Sequence, residues 1–261
     1  GMSLKQKSKQ IFYQKLLNTF YRSYILVDAI IVTGSSGQLG REIIKQLLNE
    51  NYFVIGMDKD YDPYYGRSNN FEFIQVDLKK KKEIDAAFYK VKDHKLIGLV
   101  NNAGTAVFTK FEDRTEEEID HVLDINVKAP IFCAQNFIKY AERNWVSSIV
   151  NLGSIYGLIA PDQSIYSDTP RNSSEIYGMT KAANINLTMY LANYLTQHQI
   201  RANCVSPGGI YLKQGENFIN NYSKKVPMSR MADVHEIAQG ILFLLDNKKS
   251  KYINGHNLVI D

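Results

Sequence analysis

From Ala29 onward, short apolar runs alternate with longer stretches whose apolar residues recur at helical spacing. The runs are AIIVT (29–33), YFVIGM (52–57), FEFIQV (71–76), LIGLV (96–100), VSSIVNL (146–152), IRANCV (200–205) and NLVI (257–260). Between most of them the 3.6-residue period predicts helices over about 38–50, 80–92, 115–143, 176–198 and 233–246. Alternation of this kind implies parallel strands covered by helices on both faces. The expectation is an α/β fold built on one doubly wound parallel sheet of seven strands. Residues 59–70, KDYDPYYGRSNN, carry turn formers without an apolar period and read as a loop. Ahead of the alternating region, Ile11, Leu16, Leu17, Phe20, Tyr21 and Tyr24 trace an amphipathic stripe. The chain therefore divides into a basic amphipathic extension, 1–28, and a single domain, 29–261. The extension is expected to pack on its own domain or on a sister subunit, with membrane-surface binding the alternative.

Composition narrows the partners. The formal charge of +4 arises within the extension, where Lys5, Lys7, Lys9, Lys15 and Arg22 face Asp28 alone. The remaining residues balance, which argues against an extensive phosphate-binding surface and against nucleic acid. Cys133 and Cys204 form no metal-ligand or disulfide pattern, so neither a metal nor a disulfide framework is expected and a reducing cytoplasm fits. Asp28 interrupts the YILVDAIIV run, no small-residue cleavage site follows, and no stretch approaches a membrane span.

The first strand runs into TGSSGQLG (33–40) and then into a helical pattern. Glycines between a strand and a helix let the backbone approach a pyrophosphate, which rests on the exposed N–H groups of the helix start. Asp58 follows Gly34 by 24 residues, at the end of the second strand. There its carboxylate suits the two hydroxyls of an adenosine ribose and repels a 2′-phosphate, favouring NAD over NADP. Lys59 beside it weakens that preference. Asp77, ending the third strand, serves equally as an adenine contact or a turn. NNAG (101–104) ends the fourth strand at the same sheet edge, and together these features define a Rossmann nucleotide crevice.

NLGSIYG ends the fifth strand and brings Ser154 to that edge, while Tyr177 and Lys181 lie four apart near the start of the following helix. Over 29–261 the chain resembles a short-chain dehydrogenase/reductase. The resemblance rests on the glycine loop, NNAG, Asn126 in DINVKAP, Ser154, the Tyr177/Lys181 pair, SPGGI (206–210), RMADVHEIAQGILFLL and YINGHNLVID. It implies a catalytic tetrad of Asn126, Ser154, Tyr177 and Lys181. It also implies a nicotinamide cofactor held by Gly34, Ser36, Gly37, Gln38, Leu39, Gly40, Asp58, Asp77, Leu78, Asn102, Ala103, Gly104, Tyr177, Lys181, Pro207, Gly208 and Ile210. In such an enzyme Lys181 binds the nicotinamide ribose, Asn126 holds a proton-relaying water, and 211–228 closes as a lid. Independently of family, carbonyl reduction or alcohol oxidation needs a group that moves a proton at the oxygen, and a positioned phenol can do so. Poising a tyrosine near neutrality takes about 3 pK units, or roughly 4 kcal/mol, to which a nearby ammonium contributes with the right sign. Ser154 suits the reacting oxygen. Tyr156 lacks a lysine four residues on and is not expected to act as acid or base.

Two features depart from short members of the family. The loop reads T-G-x-x-G-x-x-G, with Gln38 where a glycine is usual, and Ser154 and Tyr177 stand 23 apart, wider than is common. The added residues, within APDQSIYSDTPRNSSE, are polar and adjoin the site, where loops commonly set substrate choice. The combination resembles oxidoreductases of surface-sugar and flagellin-modification pathways. The expected activity is NAD-dependent interconversion of a secondary alcohol and a ketone on a sugar-like or nucleotide-sugar-like small molecule. The alternatives are a 3-oxoacyl reductase and a non-catalytic nucleotide-binding regulator. The resemblance further implies a homodimer or homotetramer, with helices 115–143 and 176–198 pairing across a dimer axis.

Overall fold

Along strand β1 (Asp28–Thr33) successive side chains part to opposite sides of the sheet, Ala29 and Ile31 into one core and Ile30 and Val32 into another. A strand buried on both faces requires helices above and below. The computed structural model, which describes residues 27–61, 68–166 and 172–261, supplies them. Beyond β1 come β2 (Phe53–Asp58), β3 (Phe71–Gln75), β4 (Lys95–Asn101), β5 (Ser148–Leu152), β6 (Arg201–Pro207) and β7 (Asn257–Ile260). All pair in parallel in the order β3-β2-β1-β4-β5-β6-β7, with Ile31 opposite both Ile55 and Leu99. The seven-stranded, doubly wound sheet is the one expected. Residues 1–26 of the amphipathic extension, 62–67 of the loop and 167–171 of the added segment lie outside the described residues.

The helices are α1 (Gln38–Asn49), α2 (Lys81–Lys90), α3 (Glu116–Leu123), α4 (Ala129–Tyr140), α5 (Glu175–Tyr194), α6 (Glu216–Ser223) and α7 (Val234–Leu245). Phe88, Phe137 and Leu191 bring α2, α4 and α5 onto the Ala29/Ile31 face. Ile43, Leu47, Ile241 and Leu244 bring α1 and α7 onto the opposite one. A third, smaller cluster of Ile165, Phe218, Tyr222 and Met231 joins the segment before α5 to α6.

The helix expected over 115–143 is not uniform. Between α3 and α4 the backbone widens into a π turn, Asp124–Lys128, in which the Ala129 N–H reaches back to the Asp124 carbonyl. The extra residue turns Asn126 inward to complete burial. Its amide then meets polar partners that a regular helix would not offer it, so the periodicity alone misses the break.

Arg201 on β6 is another buried polar group with a local reason. Its guanidinium donates to the carbonyls of Leu244, Leu245, Ser250 and Ile253 at 3.1–3.4 Å. These oxygens include those left unpaired at the C-terminal end of α7, where a cation is favoured. β1 lies between β2 and β4, so the chain's progress across the sheet reverses there, and the carboxyl ends of those strands diverge into a crevice.

Candidate active site

The crevice has a volume of about 740 Å³ and its floor is the glycine loop. Gly34 adopts a left-handed φ of 65°, open to glycine at little cost. Gly40 lets α1 sit directly on the loop, since a Cβ there would stand 2.2 Å from the Gly34 carbonyl oxygen. No side chain caps α1 and no acidic residue occupies its first turn. Its first N–H groups are thus left for an anion, and the close loop-to-helix packing that Gly40 allows keeps them at the crevice floor, where a pyrophosphate would rest. The residues present fit a dinucleotide.

NNAG is fastened to this floor. The Asn102 amide donates to the Thr33 and Gly34 carbonyls at 2.9 and 3.0 Å, and the Ala103 N–H donates to Thr33 Oγ1 at 3.1 Å. Asp58 closes the loop from the β2 side, its Oδ2 accepting from the Ser36 N–H at 3.0 Å. The Lys59 amine lies 3.9 Å from Asp60, with three quarters of its side chain exposed. Asp77 lines the crevice and accepts from the Lys79 N–H at 3.1 Å in a turn.

Of the cofactor-binding residues named from sequence, all but Ser36 and Gly208 line the crevice. Ser36 acts through its backbone on Asp58, and Gly208 faces a neighbouring pocket. The structure adds Val76, Lys79, Thr105, Ala106, His121 and Ile125 to the walls. His121 hydrogen-bonds Thr105 Oγ1 at 3.3 Å, and burial with the nearby Lys79 and Lys59 cations holds its imidazole below the usual range. Its one-turn spacing from Ile125 is legible in the sequence, but the face that α3 turns to the crevice is not.

The second pocket, of about 220 Å³, opens on the far side of Tyr177. Gly153, Tyr177, Pro207 and Ile210 line both spaces. Ser154 faces only the second, where its hydroxyl accepts from the Tyr156 N–H at 3.2 Å. It is therefore a strand-end cap and a member of the site at once. Lys181 is 5% exposed; its amine donates to the Leu152 carbonyl at 3.0 Å and stands 5.6 Å from the Tyr177 ring centre. Asn126 lines neither space. It accepts from the Thr105 N–H at 2.8 Å and donates to the Thr105 carbonyl and to Thr180 Oγ1 at 2.9 and 3.0 Å. It thus ties the loop after β4 to the helix that carries Tyr177.

Burial pushes the Tyr177 phenol up, and the nearby Ser154 hydroxyl only partly counters this. Burial pulls the Lys181 ammonium down to about 8. Protein groups alone thus hold Tyr177 as a neutral phenol, ready to donate; ionising it near neutrality needs further positive charge in the crevice. Among the described residues no group of three or more His, Cys, Asp or Glu is arranged to hold a metal, and no helix is long and apolar enough to cross a membrane.

A parallel sheet in this strand order, a glycine cradle at its switch point and a buried tyrosine–lysine pair define a Rossmann oxidoreductase. The chain belongs to the short-chain dehydrogenase/reductase family: residues 39–261 match the family model described as enoyl-(acyl carrier protein) reductase. It is 28% identical to post-translational flagellin modification protein A of Campylobacter coli, over 89% of this chain and 96% of that one. It is 27% identical to an NAD-dependent glycerol dehydrogenase of Listeria innocua, over 93% and 96%. Its fold is similar to a short chain dehydrogenase from Leptospira borgpetersenii solved with NAD+ bound, at a TM-score of 0.82 and 36% identity, covering 92% and 94% of the two chains.

Proposed function

We propose that this oxidoreductase uses NAD to interconvert a secondary alcohol and a ketone on a polyol or sugar-like substrate, with Tyr177 as the acid/base. The observation that carries the reading is the position of Tyr177, in the shared wall between a dinucleotide-sized crevice and a small second pocket. The nicotinamide, when bound, supplies or accepts the hydride and in its oxidised form adds positive charge to the crevice. Gly34, Gly37, Gly40 and the start of α1 would hold its pyrophosphate and Asp58 its adenosine ribose.

Tyr177 donates a proton to the carbonyl oxygen in reduction and takes it from the alcohol in oxidation. Ser154, which lines the second pocket with Tyr177, orients the same oxygen and supports its developing charge. Lys181 lends positive charge to the phenolate from one helical turn away. Asn126 keeps α5 and the loop after β4 in register, which preserves the placement of Tyr177. The glycerol dehydrogenase relative and the hydroxyls that line the second pocket support a hydroxylated substrate. Assembly as a homodimer or homotetramer belongs to the same proposal, supported by apolar side chains exposed along α5.

The test is a side-by-side titration with NADH and NADPH by nucleotide fluorescence, followed by polyol oxidation read at the nicotinamide absorbance. Tighter binding of NADH and turnover of polyols are expected. Failure to bind either dinucleotide would sink the reading, and a clear preference for NADPH would overturn the role given to Asp58.

A further inference from the structure

We infer that Tyr156, paired with Tyr166, is a specificity-determining residue that reads a hydroxyl next to the reacting carbon and selects a small, uncharged polyol. The inference deepens the dehydrogenase reading above and rests on it.

Its first ground is position. Tyr156 lies two residues past Ser154 and lines the second pocket together with Ser154 and Tyr177. Its backbone is seated against the helix that carries Tyr177: a Cβ on Gly157 would lie 2.7 Å from the Ala182 nitrogen, and one on Gly178 would lie 2.8 Å from the Tyr156 carbonyl oxygen. Contacts that close leave the Tyr156 backbone little room to shift relative to the proposed acid/base. Ser154, which lines the pocket with Tyr177, accepts from the Tyr156 N–H, so the two tyrosines flank one serine.

The second ground is hydrogen-bonding capacity. The Tyr156 hydroxyl lies 3.4 Å from the Tyr166 hydroxyl. A phenol carries one donor and can also accept, so whichever of the two donates, Tyr156 retains a proton or a lone pair for another partner. Burial pushes its phenol well above the usual range, so it stays neutral and able to donate at any working pH. Other polar groups in the pocket are already engaged. Tyr222 Oη accepts from the Gly209 N–H and donates toward Asp261 at 3.5 Å, while Gln214 bonds the Leu212 N–H and the Ile210 carbonyl, both at 2.8 Å.

The third ground is the roof. Tyr166 packs on Phe218 with ring centres 5.3 Å apart, and Ile165, Phe218, Tyr222 and Met231 form one apolar cluster. Asp162 pairs with Lys225 at 2.9 Å on the outside. The segment before α5 and helix α6 thus cover the pocket as one unit and hold Tyr166 against Tyr156. Among the described residues no charged side chain lines the space, so none of them offers a phosphate or pyrophosphate a counter-charge, and about 220 Å³ suits a ligand smaller than a typical drug-sized molecule.

The test compares kcat/KM for a pentitol with that for pentan-2-ol, using NAD and the full chain, in wild type, Tyr156→Phe and Tyr166→Phe. Circular dichroism and an NADH titration establish that each variant is folded. Wild type should favour the pentitol, and Tyr156→Phe should lower that preference about tenfold or more, because a site built to bond a hydroxyl discriminates through it. Tyr166→Phe should shift it in the same direction by less. An unchanged ratio in both variants overturns the inference and leaves the dehydrogenase reading standing. Wild-type preference for a sugar phosphate or nucleotide sugar over the pentitol likewise overturns it. Turnover of no alcohol by a protein that binds NADH overturns both.

Discussion

At the residue scale, burial acts on Tyr177 and Lys181 together and favours the uncharged form of each, raising the phenol and pulling the ammonium down to about 8. Tyr177 is therefore costly to ionise until further positive charge arrives in the crevice. Replacing Tyr177 with Phe removes the proton-transfer group and little volume. Turnover should fall about 10²–10⁴-fold, the usual worth of a general acid/base, while NADH affinity by fluorescence stays within a few-fold. Lys181 also predicts a pH dependence of stability. Between about pH 8 and the ordinary lysine range near 10.4, the unfolded chain binds the proton that the folded chain has released, so this group's contribution to stability rises with pH. Below that window both states are charged and the burial cost is full. The Tm of Lys181→Met relative to wild type should accordingly fall between pH 7 and pH 10. A difference that stays constant or grows would contradict the burial argument.

At the element scale, the loop-to-helix junction and the π turn make contrasting cases. Sequence spacing identifies the glycine loop because its chemistry is local: a strand end, small residues and a helix start follow one another along the chain. Gly40→Ala tests the junction directly, since its Cβ would sit 2.2 Å from the Gly34 oxygen, a backbone atom that cannot turn aside. It should weaken NADH binding at least about tenfold and lower the Tm, overpacking of this kind costing roughly 1–3 kcal/mol. The π turn at Asn126 is not local in cause. The bonds that Asn126 makes to Thr105 and Thr180 come from a loop and a helix remote in sequence, which is why an unbroken helix over 115–143 is what the periodicity predicts. Arg201 belongs with these non-local cases. Arg201→Met keeps bulk but removes the hydrogen bonds that the guanidinium donates to the Leu244, Leu245, Ser250 and Ile253 carbonyls. A loss of roughly 2–3 kcal/mol is expected, read as a lower denaturant midpoint with an unchanged slope.

At the scale of the whole molecule, α5 does two jobs with two faces. One face carries Lys181 into the site. The other exposes Met189, Tyr190 and Tyr194, the two tyrosine rings stacked at 5.7 Å. An apolar stripe of this kind is the surface a sister subunit would cover. Light scattering at micromolar concentration should return a dimer or tetramer, and Tyr190→Asp should shift it toward monomer. A wild-type monomer would remove assembly from the proposal.

Read alone, the sequence determined the sheet, its flanking helices and the phosphate cradle, because those depend on side-chain period and on residue types adjacent along the chain. It also marked Ser154, Tyr177 and Lys181 as chemistry, through spacing at one sheet edge. Only the tertiary structure decided what surrounds them. His121 enters the crevice because α3 packs with one particular face inward, and Asn126 bonds where it does because a π turn rotates it. Tyr156, lacking a lysine partner four residues on, reads from sequence as a bystander. It lines the second pocket because glycines at 157 and 178 let its backbone seat against α5 and because Tyr166, ten residues on, folds back to meet it. Such contacts are set by how distant segments pack on one another, which hydrophobic period and local motif do not encode.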